Sequence, residues 1–383
     1  MQLEILTDDE QNARICADYW RQTEEGEFAL KIREIATTHG MKPHVVSKFV
    51  EQYAFVWRED ICCGRCKQPY RFGTRSQYQE RRWLQNRVCK ACMDAERQAI
   101  ADKKRDLLLK MRQSAENNMP DLKTLGLTSK IYLLAAIQAL GDENFSIIEP
   151  LDDYPACTLS PDFVYDHKVL RHLIDDHLLL ICLDTRLEAV ELQEDDRFSI
   201  DLGECAFNLA LEADQITALI NEFFDEETVK SFRQAPEFIA LCKEVQLNEC
   251  LGFLKTILED HQLYLSPGEK TRQVLIQCLE KFSVAQVYNF IWRAAKDAAA
   301  YYMRSSISKR QAANSVVGNI SRNMERAMAN GWDVKPFHRN YNLPQSSLSR
   351  IIFNMVLGTD DGGFEYPLIA LVETAESDEQ RCL

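Results

Sequence analysis

Two short cysteine pairs constrain this chain more than any other feature. Cys63-Gly-Arg-Cys66 and Cys89-Lys-Ala-Cys92 are separated by 22 residues, an interval suited to treble or ribbon-type metal sites. Two residues between thiols let both sulfurs of one knuckle face a single ion, and a second knuckle completes a tetrahedron with Zn–S near about 2.3 Å. Gly64 eases the first turn. A closed four-sulfur set leaves no open coordination position, so the spacing predicts one structural Zn2+ per chain held by Cys63, Cys66, Cys89 and Cys92. Four reduced core thiols are the alternative reading of the same residues. Cys62 could shift the register of the first knuckle, although Cys62 and Cys66 enclose a three-residue spacer. The other cysteines, Cys16, Cys157, Cys182, Cys205, Cys242, Cys250, Cys278 and Cys382, show no paired spacing and read mostly as small core residues.

Composition frames that site. At 383 residues the chain exceeds the roughly 250–300 at which one core stops growing, so several domains are expected. With 46% apolar and 27% charged residues, disorder and low-complexity polymers are excluded. Thirteen cysteines, an odd number, fit reduced thiols better than a disulfide scaffold. The acidic start lacks a signal-like apolar core, and the longest nearly apolar run, 131–140, is too short to span a bilayer, so a cytoplasmic, membrane-free protein is expected.

A net charge of −14 argues against a general polyanion binder, but the average hides segregation. Residues 61–110 carry thirteen Lys/Arg against five Asp/Glu, residues 141–260 sum to −20, and residues 281–350 carry eleven bases against three acids. A polyanion responds to the local field within roughly 10 Å, so this pattern matters more than the total.

Apolar spacing predicts helices over 12–24 and 28–57, interrupted at Gly40. From 61 to 88, Pro69, Gly64, Gly73 and interleaved Tyr70, Phe72 and Tyr78 read as a small β-hairpin unit between the cysteine pairs. Residues 90–112 read as a charged helix that ends near the Asn117-Asn118-Met119-Pro120 break. Beyond it come a helix over 127–140, capped by Thr128 or Ser129 and stopped by Gly141, and a helix over 163–176. A strand–turn–strand over 178–192, a strand over 206–211 and further helices over 213–263 and 272–331 follow, the helices broken by Pro236 and by 265–268. The expected fold is mainly α and multidomain. It comprises an N-terminal helix-turn-helix region over 1–60, a small β zinc ribbon with a charged helix over 61–118, a central winged-helix-like acidic α+β region over 119–212, and a helical C-terminal domain over 213–383.

Residues 32–51 carry the functional expectation. Ile35 and Ala36 lie in a first helix, Gly40 supplies a turn, and Val46 and Phe49 pack back from a second helix that Pro43 opens. The segment resembles a helix-turn-helix of the general bacterial repressor type, and with the cysteine pairs it resembles bacterial DNA-binding proteins that combine this motif with a four-cysteine zinc ribbon. The layout of 127–211 resembles a winged helix. The first resemblance implies that Lys42, His44, Ser47, Lys48 and Gln52 face DNA. Arg71, Arg75, Arg81 and Arg82, with Arg65, Lys67, Arg87 and Lys90, add positive charge around the knuckles. A plain helical hairpin is the rival reading.

In the second half, 305–310 and 342–353, with Lys335, His338 and Arg339, suit a second nucleic-acid face less well than a solvated bundle face. Tyr301, Tyr302 and Trp332 read as core aromatics more readily than as base-stacking ones. The five-residue steps among His167, His172 and His177 do not put them on one helical face, despite Asp166, Asp175 and Asp176 nearby. No phosphate loop, dinucleotide fingerprint or nucleophile elbow occurs, so catalysis has little sequence support and an enzyme is the less favoured class. The expectation is a DNA-binding protein, a transcriptional regulator or a DNA-recognition subunit, whose acidic 141–260 region meets a protein partner. Its rivals are an interaction scaffold, for example in a mobile-element or antiphage system, and a metal-dependent nuclease.

Overall fold

Most of the chain is helical, and its helices begin and end where local chemistry directs. The computed structural model describes residues 1–84, 87–155, 158–194, 197–305 and 307–373, without the side chains of Arg82 and Leu84. Cys157, Cys382 and the side chain of Arg82 therefore lie outside the described residues. The chain divides into two compact units, Met1–Lys103 and Lys104–Leu383, a coarser partition than the four expected segments.

In the first unit, β1 (Gln2–Ile5) pairs antiparallel with β2 (Ala54–Trp57), Leu3 opposite Val56. Helix α1 (Glu10–Trp20) is capped by Asp9, whose carboxylate accepts the Asn12 N–H at 2.8 Å, satisfying one otherwise orphaned donor. Helices α2 (Ile32–Thr38) and α3 (Pro43–Tyr53) are joined by a turn in which Gly40 has φ +63°, a conformation glycine adopts without steric cost. There the Met41 N–H donates to the Ala36 carbonyl at 2.8 Å. Ile35, Ala36, Val46 and Val50 are buried with Tyr19, Trp20, Phe72 and Tyr78. The fully inward residues of α3 are thus Val46 and Val50, while Phe49 is half-buried against Tyr53. The last four residues of the expected helix over 28–57 form β2, because the apolar run Ala-Phe-Val-Trp pairs with β1.

The expected β-hairpin between the cysteine pairs is corrected. Among the described residues, strand-like pairing there is limited to single bridges, Cys62 with Pro69 and Val56 with Phe72. The chain then enters helix α4 (Arg75–Gln79) and a 3-10 turn over Glu80–Leu84. A capping box explains the switch: the Thr74 hydroxyl accepts the Gln77 N–H, and the Gln77 side-chain oxygen accepts the Gly73 and Thr74 N–H groups, drawing three backbone donors into a helix start. Helix α5 (Lys90–Glu116) then runs four residues beyond the expected end at 112.

In the second unit, α6 (Leu127–Leu140) is buried along most of its length. Gly126, not Thr128 or Ser129, holds its N-cap, because the Ser129 hydroxyl is engaged elsewhere. Helix α7 (Phe163–Asp175) is capped by Asp162. Strands β3 (Ile147–Ile148), β4 (Leu179–Ile181) and β7 (Phe207–Leu209) form a sheet in the order β3-β7-β4, and β5 (Val190–Leu192) pairs with β6 (Phe198–Ile200). The expected pairing of 178–183 with 187–192 is therefore corrected. β4 is apolar at every position and wholly buried, as a two-sided core strand requires. By contrast β5 keeps Glu191 in solvent and folds onto the nearer β6.

Helices α8 (Ala213–Glu222), α9 (Glu226–Gln234), α10 (Pro236–Asp260), α11 (Glu269–Leu279), α12 (Val284–Arg304) and α13 (Lys309–Asn330) complete the body. Pro236 sits in the first turn of α10, where a missing N–H is harmless. The short helix α14 (Ser347–Ser349) is capped by Ser346 and continues as a π-helix over Arg350–Val356. One apolar cluster gathers α6, α7, the sheet, the first half of α10 and α14; a second gathers the rest of α10 with α11, α12 and α13. In the latter, the rings of Phe253 and Tyr288 stack at 3.8 Å. Among the described residues no helix is long and apolar enough to cross a membrane.

Candidate metal centre and basic face

The four cysteines converge as their spacing predicts. Their sulfurs all lie within 4.8 Å of one another, with Cys63 to Cys92 and Cys66 to Cys89 both at 3.9 Å. The edge of a tetrahedron with metal–sulfur bonds near 2.3 Å is about 3.8 Å, so these two pairs already stand at ligand separation. Cys63 lies in the turn after β2, and its sulfur accepts the Cys89 N–H at 3.2 Å and the Arg65 N–H at 3.4 Å. Lys67, at φ +61°, closes the first knuckle by donating its backbone N–H to the Cys63 carbonyl. The second knuckle is tied to the first through Arg87, whose carbonyl accepts the Gly64 N–H at 2.8 Å and the Tyr70 hydroxyl at 2.6 Å. Cys92 enters the first turn of α5.

The electrostatics fit a cation. N–H groups of Cys66 and Cys89 hold the Cys63 thiol down at about 6. A hydrogen bond to the Cys89 sulfur, reinforced by burial, pushes Cys92 up to about 12. Four adjacent thiols shed their protons together only where a positive ion takes up the charge. A tetrahedral all-sulfur set suits zinc or iron and leaves no position for substrate. Cys62 stands outside the set, donating its S–H to the Glu59 carbonyl. Among the other described cysteines, Cys16, Cys205, Cys242, Cys250 and Cys278 are buried. Burial raises the Cys16 thiol to about 11, as for an inert core group.

The expected DNA-facing residues separate into two sets. Lys42, His44, Lys48 and Gln52 are exposed, and the last three lie four residues apart along one stripe of α3. Ser47 is half-buried beside the Tyr19 hydroxyl at 3.3 Å. Arg71 is exposed, its guanidinium 4.4 Å above the Phe55 ring, and Arg81 is half-buried over Tyr78. Arg75 is corrected from surface cation to core cation: it is 8% exposed. Its guanidinium donates to the Tyr19 and Leu30 carbonyls and lies against the Tyr19 and Phe28 rings. It caps carbonyls the fold would otherwise leave dry, and burial lowers its basicity.

In the second unit, Arg339 is also withdrawn from the expected basic surface, pairing at 3.2 Å with Glu249, a carboxylate only 4% exposed. Burial pushes Glu249 up against the pull of Arg339. His172 meets Ser129 at 3.0 Å and Asp176 at 3.4 Å, all through its Nε2. The Ser129 hydroxyl donates to the Asp176 carboxylate, and among the described residues no acid is placed on the imidazole's other nitrogen, where a serine nucleophile would need one. Among the described residues, the four cysteines are the one group of three or more His, Cys, Asp or Glu placed to hold a metal.

One contributor escaped sequence reasoning: Tyr70 was legible only as one aromatic among several, yet its hydroxyl ties the knuckles together. No protein-family model, curated protein or solved structure matches this chain.

Proposed function

We propose that this chain is a zinc-stabilised DNA-binding protein in which α2 and α3 act as a helix-turn-helix. The reading rests chiefly on one observation: His44, Lys48 and Gln52 form an exposed polar and basic stripe on α3, with Lys42 exposed at its N-cap, and Val46 and Val50 brace the helix from behind. Lysines supply the salt-dependent attraction to phosphate, and histidine and glutamine side chains match base edges in a major groove. Zinc in the four-cysteine set rigidifies the neighbouring module, where Arg71, Arg87 and Lys90 are exposed. Transcriptional control or DNA recognition for a larger assembly, in the cytoplasm, is the role that follows. In the same reading, α6, α7 and the strands to β7 form a winged-helix-like body with the β5–β6 hairpin as wing. The acidic surface of 141–260 there meets a basic protein partner.

Full-length protein titrated with duplex DNA at several salt concentrations tests the reading. Affinity is expected to fall steeply with salt, and Lys42→Ala/Lys48→Ala to weaken binding and reduce the logarithmic slope by about one per lysine. A slope near zero, or an unchanged isotherm in that variant, removes it. Metal analysis is expected to return about one zinc per chain, lost in Cys63→Ser/Cys89→Ser.

A further inference from the structure

We infer that a cleft in the second unit, between α7, α10 and the start of α11, binds a nucleoside monophosphate, a site separate from the DNA-binding reading. The cavity measures about 490 Å³, within the range of small-molecule sites. Asn248, Leu251, Lys255, Leu258 and Glu259 line it from α10, at three- and four-residue steps that put them on one face. Gly252 draws the opposite wall in. A Cβ there would stand 2.9 Å from the Pro161 carbonyl oxygen, so glycine lets the chain entering α7 lie against α10 and bring Asp162 into the lining.

Two polar groups of the lining are unmet. Asn248 is only 5% exposed. Its amide nitrogen donates back to the Glu244 carbonyl at 2.8 Å, which fixes the amide's orientation and leaves Oδ1 without a partner among the described residues. A buried acceptor calls for an N–H or O–H donor. Arg272, half-buried near the start of α11, places its guanidinium in no hydrogen bond or ion pair with any described residue. The other half-buried charge of the lining, Asp162, spends its carboxylate on the Val164 N–H at 3.2 Å, capping α7. Lys255 and Glu259 are exposed and offset each other. The unanswered charge is therefore positive, and a guanidinium fork matches phosphate through paired N–H groups. Leu251, Leu258 and Leu263 supply buried apolar walls, and Tyr264 adds an aromatic ring. Such walls suit a flat heterocycle whose N–H edge meets Asn248 while its phosphate meets Arg272. A purely apolar ligand leaves both polar groups unmet, and inorganic phosphate leaves the leucines uncovered.

The experiment titrates the full-length chain calorimetrically with AMP, GMP, CMP and UMP, with the matching nucleosides and with inorganic phosphate. At least one monophosphate is expected to bind with Kd below about 1 mM, and about tenfold tighter than its nucleoside or phosphate alone. Arg272→Gln is expected to remove that tenfold advantage and leave the nucleoside's affinity unchanged. Asn248→Leu, which keeps the volume and deletes the acceptor, is expected to weaken nucleoside and monophosphate alike by about tenfold; should that variant fail to fold, Arg272→Gln decides alone. Absence of saturable binding by every monophosphate, equal affinity for monophosphate and nucleoside, or binding that the variants leave unchanged overturns the inference. Lys42→Ala/Lys48→Ala is expected to leave nucleotide binding as it is. A loss there would assign the nucleotide to the proposed DNA face, overturning this inference and leaving that reading intact.

Discussion

The two units of this chain are held together by different means. Met1–Lys103 is nearly neutral, with 17 bases against 16 acids. Its core draws on α1, α2, α3, β2 and the start of the cysteine module, and among the described residues nothing beyond Tyr78 in the module joins that apolar cluster. Lys104–Leu383 carries 28 bases against 43 acids yet encloses two large apolar clusters. Burial suffices for the second unit, while in the first the segment after α4 depends on four sulfurs, one tyrosine hydroxyl and a few backbone hydrogen bonds. A region short of apolar surface needs a cross-link, and the four cysteines are placed to hold a metal that would supply it.

Metal removal breaks the comparison most forcefully. Structural zinc contributes on the order of 10 kcal/mol to small metal-held modules, so chelation or Cys63→Ser/Cys89→Ser is expected to unfold the knuckles. Hydrogen exchange should show lost protection around Gly64, Lys67 and Tyr70 with α10 and α12 unchanged. Matching losses in both units would show that the metal is not a local device. Next in size is Arg339→Met, which strands Glu249 as a buried charge and is expected to cost about 3–5 kcal/mol in the second unit's unfolding transition. Adding Glu249→Gln should recover most of it, and failure to recover would mean the pair is incidental.

Asp166 sharpens the comparison through pH. Burial raises its carboxyl to about 7, against the hydrogen bond from Ser160. The folded value lies above the unfolded one, so the stabilisation is complete below about pH 4 and is lost as pH rises through 7. Asp166→Asn is expected to stabilise the second unit at pH 8 by about 3 kcal/mol and to flatten its stability between pH 5 and pH 8; parallel profiles would contradict this. The smallest effect is in the first unit. Arg75→Lys keeps a charge but loses the fork that bridges Tyr19 and Leu30, and is expected to cost about 2 kcal/mol in denaturant unfolding. No change would return Arg75 to the surface cations.

The cysteine cluster was legible in the sequence because metal geometry ties spacing to chemistry locally: two residues between thiols is itself a structural statement. The α2–α3 pair was legible because Gly40 and Pro43 are local signals. The β-hairpin over 61–88 failed where aromatic alternation competed with the Thr74–Gln77 capping box, a signal four residues long and easily overlooked. Strand pairing failed for a different reason. Which partner β4 chooses depends on burial of both its faces, and that is settled by residues as distant as Arg112 and Asn208. Arg75 illustrates the limit for sites: its charge is visible in the sequence, but the Tyr19 and Leu30 carbonyls that consume it are brought there only by the fold.

The most direct test of the account is a duplex-DNA isotherm of the full-length chain across a salt series, taken with zinc bound, after chelation and after zinc is restored. The account predicts steep salt dependence that Lys42→Ala/Lys48→Ala reduces, with affinity that falls on chelation and returns with zinc. Binding that ignores salt, the two lysines and the metal alike would contradict it.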